Sequence, residues 1–283
     1  MTFESANRLM ISSLSELYDE REAAAISSLI MEQLTGMPKS HRVSNRTTEF
    51  TQPQETLFQQ WLEQLLQNRP VQYVLHEAWF GPYPFFVDEN VLIPRPETEE
   101  LAAWLLSTVP GTEPLSVLDI GTGSGCIPVY IKKKRKEFII HALDISQLSL
   151  DVAKKNALLL NVKISFFLAD ILDSTQWIQI PEVDVIISNP PYIPEKQKAT
   201  LEKHVRNYEP GLALFVPDAD PIIFYKAIGN LSKAKLKPGG MVFLELHHDY
   251  AHDVVFWYET NGFATELKKD FSGNNRMIKA VIK

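Results

Sequence analysis

The residues best suited to chemistry are Asn189-Pro190-Pro191-Tyr192, which follow the apolar run Val183-Asp184-Val185-Ile186-Ile187-Ser188. A run this short, rich in β-branched residues and closed by breakers, reads as a buried parallel strand emptying into a turn. The Asn189 side chain carries an amide oxygen that accepts hydrogen bonds, and Pro190 has a carbonyl but no N–H. Two successive prolines fix φ, so the turn presents carbonyls with little backbone freedom. A planar NH2 group has two protons to donate and a lone pair tied up in resonance. A site accepting both protons would hold that nitrogen with its lone pair aimed at an electrophile, and Tyr192 could cover the planar face. The plain alternative is a tight turn after a core strand.

A second group is Asp119-Ile120-Gly121-Thr122-Gly123-Ser124-Gly125, which ends one strand and opens a helix. Glycines at 121, 123 and 125 let a ligand lie against the backbone, and a helix N-terminus favours negative charge. The spacing is GxGxG after an acid, not the GxGxxG of dinucleotide binders. An acid there opposes a pyrophosphate and suits a cationic amine, which tips the choice from NAD to S-adenosylmethionine. Asp144 ends the next strand, 19 residues past Gly125, where a carboxylate can take both hydroxyls of a ribose. Asp170-Ile171 ends the third strand, placed to meet an adenine. Asp144 read alone could be a helix N-cap, a role open to Ser146, and Asp170 a turn acid. Together at successive strand ends, they point to a cofactor site beside the 189–192 turn.

These groups need a sheet to position them. From residue 115 strand-like and helix-like segments alternate: SVLDIG, FIIHALDIS, ISFFLAD, VDVIISN, GMVFLELH, TELKKD and NRMIKAVIK, with helices near 124–135, 147–161, 221–236 and 249–261. Alternation of this kind predicts an α/β fold with a mostly parallel, Rossmann-like sheet and helices on both faces. The last two strands, joined by Phe271–Asn275, predict a hairpin and an antiparallel edge strand. Upstream, residues 1–70 are expected to form a small helical bundle with no obvious chemistry, serving packing or substrate docking. Its expected inward faces are Phe3, Leu9, Met10, Leu14 and Leu17, then Ala23, Ile26, Ile30 and Leu34, then Leu57, Trp61, Leu65 and Leu66. Residues 71–94 are aromatic-rich and cut by Gly81, Pro82 and Pro84, which predicts a β-hairpin linker. The remaining domain spans 95–283, and Arg95 precedes its first helix as a cap or a rigid lip over a pocket.

At 283 residues, with 28 basic and 35 acidic side chains and a net charge of −7, the chain argues against a broad phosphate-binding surface. The single Cys126 cannot form an internal disulfide and fits a reducing cytoplasm. The opening MTFESANRLM lacks a signal-peptide pattern, and no apolar run nears roughly 20 residues, so no membrane association is expected. His247, His248 and His252 with Asp249 invite a metal reading. No further ligand set accompanies them, and no metal is expected.

The set GTGSG (121–125), Asp144 and NPPY (189–192), preceded by VLIPRPETE, resembles the HemK/PrmC family of protein-(glutamine-N5) methyltransferases. The resemblance runs over nearly the whole chain, and Tyr208-Glu209-Pro210, Leu244-Glu245-Leu246 and Asn275-Arg276 also fit it. It implies methyl transfer from S-adenosylmethionine, leaving S-adenosylhomocysteine, onto the glutamine of the Gly-Gly-Gln loop of peptide chain release factors. It further implies that Asn189 and Pro190 hold the glutamine amide, and that Asn189 lies close to the cofactor as well. The family usually has a glycine where His76 stands, and His247-His248-Asp249 also departs from its pattern. NPPY alone is shared with adenine and cytosine amino-methyltransferases of nucleic acid, which is the alternative substrate class.

Overall fold

The computed structural model describes residues 1–109 and 113–283. These divide into two compact units: Met1–Glu77 with Glu202–Tyr208, and Ala78–Leu201 with Glu209–Lys283.

The first unit is helical: α1 (Phe3–Leu14), α2 (Glu20–Thr35), α3 (Lys39–Ser44), α4 (Gln52–Leu66) and α5 (Val71–Leu75). Asp19 caps α2 by accepting from the Glu22 N–H at 2.9 Å, and Gly36 ends it at φ 65°. Ala23, Ile26, Ile30 and Leu34 are buried along one face of α2. The inward faces of α1 and α4 differ in part from expectation. Leu9 and Leu17 are exposed, and on α4 the buried residues are Phe58, Leu62 and Leu65, with Leu57 and Leu66 outside. Phe58 sets that phase: its ring packs 5.9 Å from Phe50, which in turn meets Phe3. An aromatic ring buries more apolar area than Leu57 would, so it takes the core position.

Val71–Leu75 is a helical turn and not the start of the hairpin. Val71 and Val74, three residues apart, both enter the helical core, while Pro70 opens the turn and His76 closes it at φ 53°. His76 is therefore left-handed, a conformation that favours glycine. The hairpin itself is short: β1 (Ala78–Phe80) and β2 (Tyr83–Phe85) joined by Gly81-Pro82.

The second unit continues with α6 (Pro96–Thr108), β3 (Ser116–Ile120), α7 (Cys126–Lys134), β4 (Ile139–Asp144), α8 (Gln147–Leu159), β5 (Ser165–Leu168) and β6 (Val183–Ser188). After the short β7 (Ile193–Pro194), α9 (Lys203–Tyr208) belongs to the first unit. Then follow α10 (Gly211–Leu214), β8 (Phe215–Val216), α11 (Ile223–Lys235), β9 (Leu236–Glu245), α12 (Ala251–Thr260), β10 (Phe263–Lys269) and β11 (Asn275–Ile282). The main sheet has the order β10-β11-β9-β6-β3-β4-β5. From β9 to β5 neighbours are parallel, and β11 is antiparallel to both β9 and β10.

The antiparallel strand is thus interior, and the edge is β10. Adjacent Met277 and Ile278 of β11 are both fully buried, one toward each face, which only a flanked strand achieves. The Glu266, Lys268 and Lys269 side chains of β10 suit an edge that must not recruit another strand.

Both faces are covered. Val117, Val185, Ile187 and Phe243 share a core with Leu101 and Leu105 of α6 and Val129 and Ile131 of α7. Leu118, Ile120, Ile186 and Val242 face the other way, against Tyr225 and Ile228 of α11 and Val254 and Tyr258 of α12. Each fully buried Val, Leu or Ile contributes roughly 1.5–3 kcal/mol, which makes the parallel strands a rigid platform. Asp184 ties their amino ends together, accepting from Ser116 N and Oγ and from Lys237 Nζ at 2.6–2.9 Å.

Candidate active site at the carboxyl ends of the parallel strands

β3 sits where the strand order reverses, with β4 on one side and β6 on the other. In open α/β sheets ligands bind at such a switch point. The cavity here is lined by Gly121 and Gly123 after β3, Asp144 at the end of β4, Asp170 and Ile171 after β5, and Asn189, Pro190 and Pro191 after β6. Four more segments line it: Asn90-Val91-Leu92, Ile145-Ser146 with Ser149, Pro210 with Leu212-Ala213, and Phe224 with Ile228. Thr122, Ser124, Gly125 and Tyr192 are not on its wall. Thr122 and Ser124 are buried behind the loop, and Gly125 packs against α8, where an added Cβ would stand 3.0 Å from that of Ala153.

Four of the five N–H groups from Gly121 to Gly125 are already hydrogen-bonded. The N–H groups of Gly121 and Thr122 donate to the Leu143 carbonyl, that of Gly123 to Asp144, and that of Gly125 to the Thr122 carbonyl. A loop whose amides are consumed this way makes no phosphate nest. What it offers is shape: Gly121 at φ 69° and Gly123 at φ 52° have open space where a Cβ would project.

The charge near the loop is negative. Asp119 is fully buried, and neither carboxylate oxygen has a hydrogen-bond partner among the described residues. Burial pushes its carboxyl up to about 7; the nearby Thr122 hydroxyl works against the rise and the Asp144 charge adds to it. Asp144 is buried as well, which raises its pKa, and the backbone N–H groups of Ser146 and Gly123 counter that. Each of its oxygens accepts one of those N–H groups at 2.9 Å, leaving further lone pairs for a ligand's hydroxyls. Asp170 is held by its own turn, its Oδ1 accepting from Leu172 N at 2.8 Å. Ile171 is fixed by the Trp177 indole, which donates to its carbonyl at 3.1 Å.

On the β6 side, Ser188 Oγ donates to the Ile120 carbonyl at 2.7 Å and locks the two strand ends together. Asn189 Nδ2 donates to Thr98 Oγ1 at 3.0 Å, and Thr98 Oγ1 donates to Glu245 Oε2 at 2.6 Å. Tyr192 donates to the other Glu245 oxygen at 3.2 Å. Burial pushes Glu245 up to about 7, with the Thr98 hydrogen bond and the Arg276 charge acting against it. Burial also raises Tyr192 far above the usual phenol range, so it stays a neutral donor.

Thr98 and Glu245 were named from the sequence only as parts of RPETE and LEL, without a role. A glutamate inside an apolar strand is the signal that singles Glu245 out, since buried carboxylates need partners. Asn156 was missed. Its amide donates to the Phe86 and Ser124 carbonyls and accepts from Phe86 N, clamping the chain after β2 to the glycine loop. Arg95 occupies the N-cap position of α6 and reaches Glu209 at 2.6 Å. Cys126 is no nucleophile, because burial pushes its thiol up to about 12. His247, His248 and Asp249 have ligand atoms within 4.8 Å of one another, while His252 is outside this group. His247 Nδ1 already accepts from Asp249 N, and its Nε2 faces Gln197.

Comparison with known proteins places the chain in a family. Residues 7–75 match the PrmC N-terminal domain, and residues 97–207 match the methyltransferase small domain. The release factor glutamine methyltransferase of Flavobacterium psychrophilum is 37% identical over 273 residues, 95% of each chain. That of Bacteroides thetaiotaomicron is 35% identical over 269 residues, 95% of this chain and 96% of the relative. A methyltransferase from Pyrococcus furiosus shares the fold, with a TM-score of 0.52 over 70% of this chain and 88% of that one at 18% identity. The structure of a release-factor-specific protein-(glutamine-N5) methyltransferase from Alicyclobacillus acidocaldarius is 26% identical, with a TM-score of 0.43 over 70% of this chain and 99% of that one. With identity of this order sustained from the helical unit through the sheet, the chain belongs to the release factor glutamine methyltransferase family.

Proposed function

We propose that this protein transfers a methyl group from S-adenosylmethionine to the side-chain amide nitrogen of the glutamine in the Gly-Gly-Gln motif of peptide chain release factors, modulating translation termination. The observation that carries the reading is one cavity in which the Gly121–Gly123 turn and Asp144 meet the Asn189-Pro190-Pro191 turn. Membership of the family supports the substrate class.

The donor-set chemistry fits S-adenosylmethionine, a ligand with an ammonium, a sulfonium and no phosphate. Most amides of the glycine loop are spent, the cradle is open, the buried Asp144 carboxylate lines the cavity, and the Asp119 carboxylate is buried in β3 off the cavity wall. In this reading Asp119 is the counter-charge for the ammonium, Asp144 takes the ribose hydroxyls, and Asp170 with Ile171 borders the adenine. When bound, S-adenosylmethionine supplies an electrophilic methyl group.

The rest falls to the protein's own residues. An amide nitrogen is a poor nucleophile because its lone pair is delocalised into its carbonyl. Asn189 Oδ1 and the Pro190 carbonyl accept the two amide protons, favour a pyramidal nitrogen and hold it in line with the methyl. Positive charge grows on nitrogen in the transition state as its bond to the methyl carbon forms, so these acceptors bind that state more strongly than the ground state, and one of the two amide protons is then lost to solvent. Alignment of this kind contributes several kcal/mol. Tyr192, held by Glu245, stiffens the turn. The reading also places the protein in the cytoplasm beside its substrate. No described helix is long and apolar enough to cross a membrane.

The test is transfer of label from S-adenosylmethionine to purified release factor, run beside an adenine- and cytosine-containing oligonucleotide. Label on the release factor alone supports the reading; label on the oligonucleotide alone replaces it with amino-methylation of nucleic acid.

A further inference from the structure

The Asn189 side chain has an oxygen and an NH2 of nearly the same shape, and only one of them can accept a substrate amide proton. Nothing in the 189–192 turn itself chooses between the two orientations. The choice is made two residues away in the hydrogen-bond chain, on different elements. Thr98, from the first turn of α6, has a single hydroxyl proton, and it lies 2.6 Å from Glu245 Oε2 at the end of β9. An ionised carboxylate only accepts, so the Thr98 proton is committed to Glu245. The Thr98 oxygen can then only accept from Asn189, which must turn its Nδ2 inward, as it does at 3.0 Å. Asn189 Oδ1 is left for the cavity.

Resting on the methyl-transfer reading above, we infer that Glu245 is a positioning residue which, through Thr98, fixes the Asn189 amide with its oxygen toward the substrate nitrogen. The polarity is reversible. A protonated Glu245 can donate to Thr98, freeing the Thr98 proton for Asn189 Oδ1 and letting the amide flip. The flipped amide would present its NH2 to the substrate NH2, donor against donor.

The groups around Glu245 bear on which state holds. Thr98 and Tyr192 both donate to it, and the Arg276 charge on β11 favours the anion. Glu97 on α6 opposes the anion, and Arg95 sets a cation beside Tyr192. Tyr225 on α11 is neutral, its burial raising it well above the usual phenol range. Burial brings the Glu245 carboxyl itself up to about 7, so the reversal falls near neutral pH.

The test measures kcat at saturating S-adenosylmethionine for wild type, Thr98→Val, Thr98→Ser and Glu245→Gln, from pH 5.5 to 8.5, with S-adenosylhomocysteine affinity alongside. Thr98→Val keeps the shape and removes the relay, so kcat should fall roughly 10- to 100-fold. Its S-adenosylhomocysteine affinity should stay within about twofold of wild type, and Thr98→Ser should restore kcat to within about threefold. Wild-type kcat should drop about tenfold per pH unit on the acid side of the Glu245 midpoint. Glu245→Gln can still accept from Thr98 and cannot ionise, so its profile should be flat there. Asp119, also near 7, should appear in the KM for S-adenosylmethionine and persist in Glu245→Gln.

Wild-type turnover by Thr98→Val, or an acid limb retained in Glu245→Gln, overturns the relay while leaving the methyl-transfer reading intact. A Thr98→Val variant that loses S-adenosylhomocysteine binding in step with kcat assigns Thr98 a structural role and also overturns it. No methylation of release factor by wild type overturns both.

Discussion

Asp119→Asn should make the ligand-free protein more stable and a poorer binder of S-adenosylmethionine. Asp119 is fully buried with both oxygens unpartnered among the described residues, and its carboxyl rises from 3.8 to about 7. A folded-state pKa above the unfolded value means stability is present in full below pH 3.8 and is lost as pH rises toward 7. The shift of about 3 units, at 1.36 kcal/mol each, corresponds to about 4 kcal/mol as an upper bound on the penalty at pH 8. Asparagine removes the charge but leaves a buried amide without partners, which costs about 1–3 kcal/mol. The expected net gain is therefore about 1–3 kcal/mol at pH 8, reversing to a net loss of about 1–3 kcal/mol near pH 4, where the wild-type carboxyl is already protonated and only the amide cost is left. Urea unfolding without ligand at both pH values measures the gain, and calorimetric titration with S-adenosylmethionine measures the lost affinity. An Asp119→Asn protein less stable than wild type at pH 8, or one binding S-adenosylmethionine equally well, would refute the assignment of a strained counter-charge.

Gly125→Ala forces a left-handed alanine at φ 77° against Ala153 and should cost about 2–4 kcal/mol of stability in thermal or urea unfolding. Gly121→Ala meets open space at φ 69°, so it should lose ligand affinity out of proportion to stability, as binding and unfolding measured together would show. Arg95→Ala leaves the Glu209 carboxylate buried without its cation and should cost about 3 kcal/mol near neutral pH by urea unfolding. Asn189→Ala should cut kcat by roughly 100-fold or more while retaining S-adenosylhomocysteine binding, measured by single-turnover kinetics and titration.

The parallel sheet could be read from the chain because its strands are buried on both faces and appear as near-continuous apolar runs. Asp144, Asp170 and Asn189 stand out because each polar residue closes such a run, and Asp119 because it interrupts one. Where several apolar residues compete for one helical face the pattern underdetermines the phase, and on α4 the Phe58–Phe50 packing decided it. Val71–Leu75 is rich in β-prone residues, yet its Val71 and Val74 are captured by the helical core, and tertiary packing overrides local preference there. The relay from Asn189 to Glu245 joins residues 91 and 147 positions apart in sequence, a proximity that no local spacing encodes.

The reaction places the methyl group on a glutamine side-chain nitrogen. Tandem mass spectrometry of release factor treated with enzyme and methyl-labelled S-adenosylmethionine tests it most directly. A single added methyl is expected on the glutamine of the Gly-Gly-Gln motif, located on the side-chain amide and absent when that glutamine is alanine. A methyl on any other residue, or on the alanine variant at the wild-type level, would contradict it.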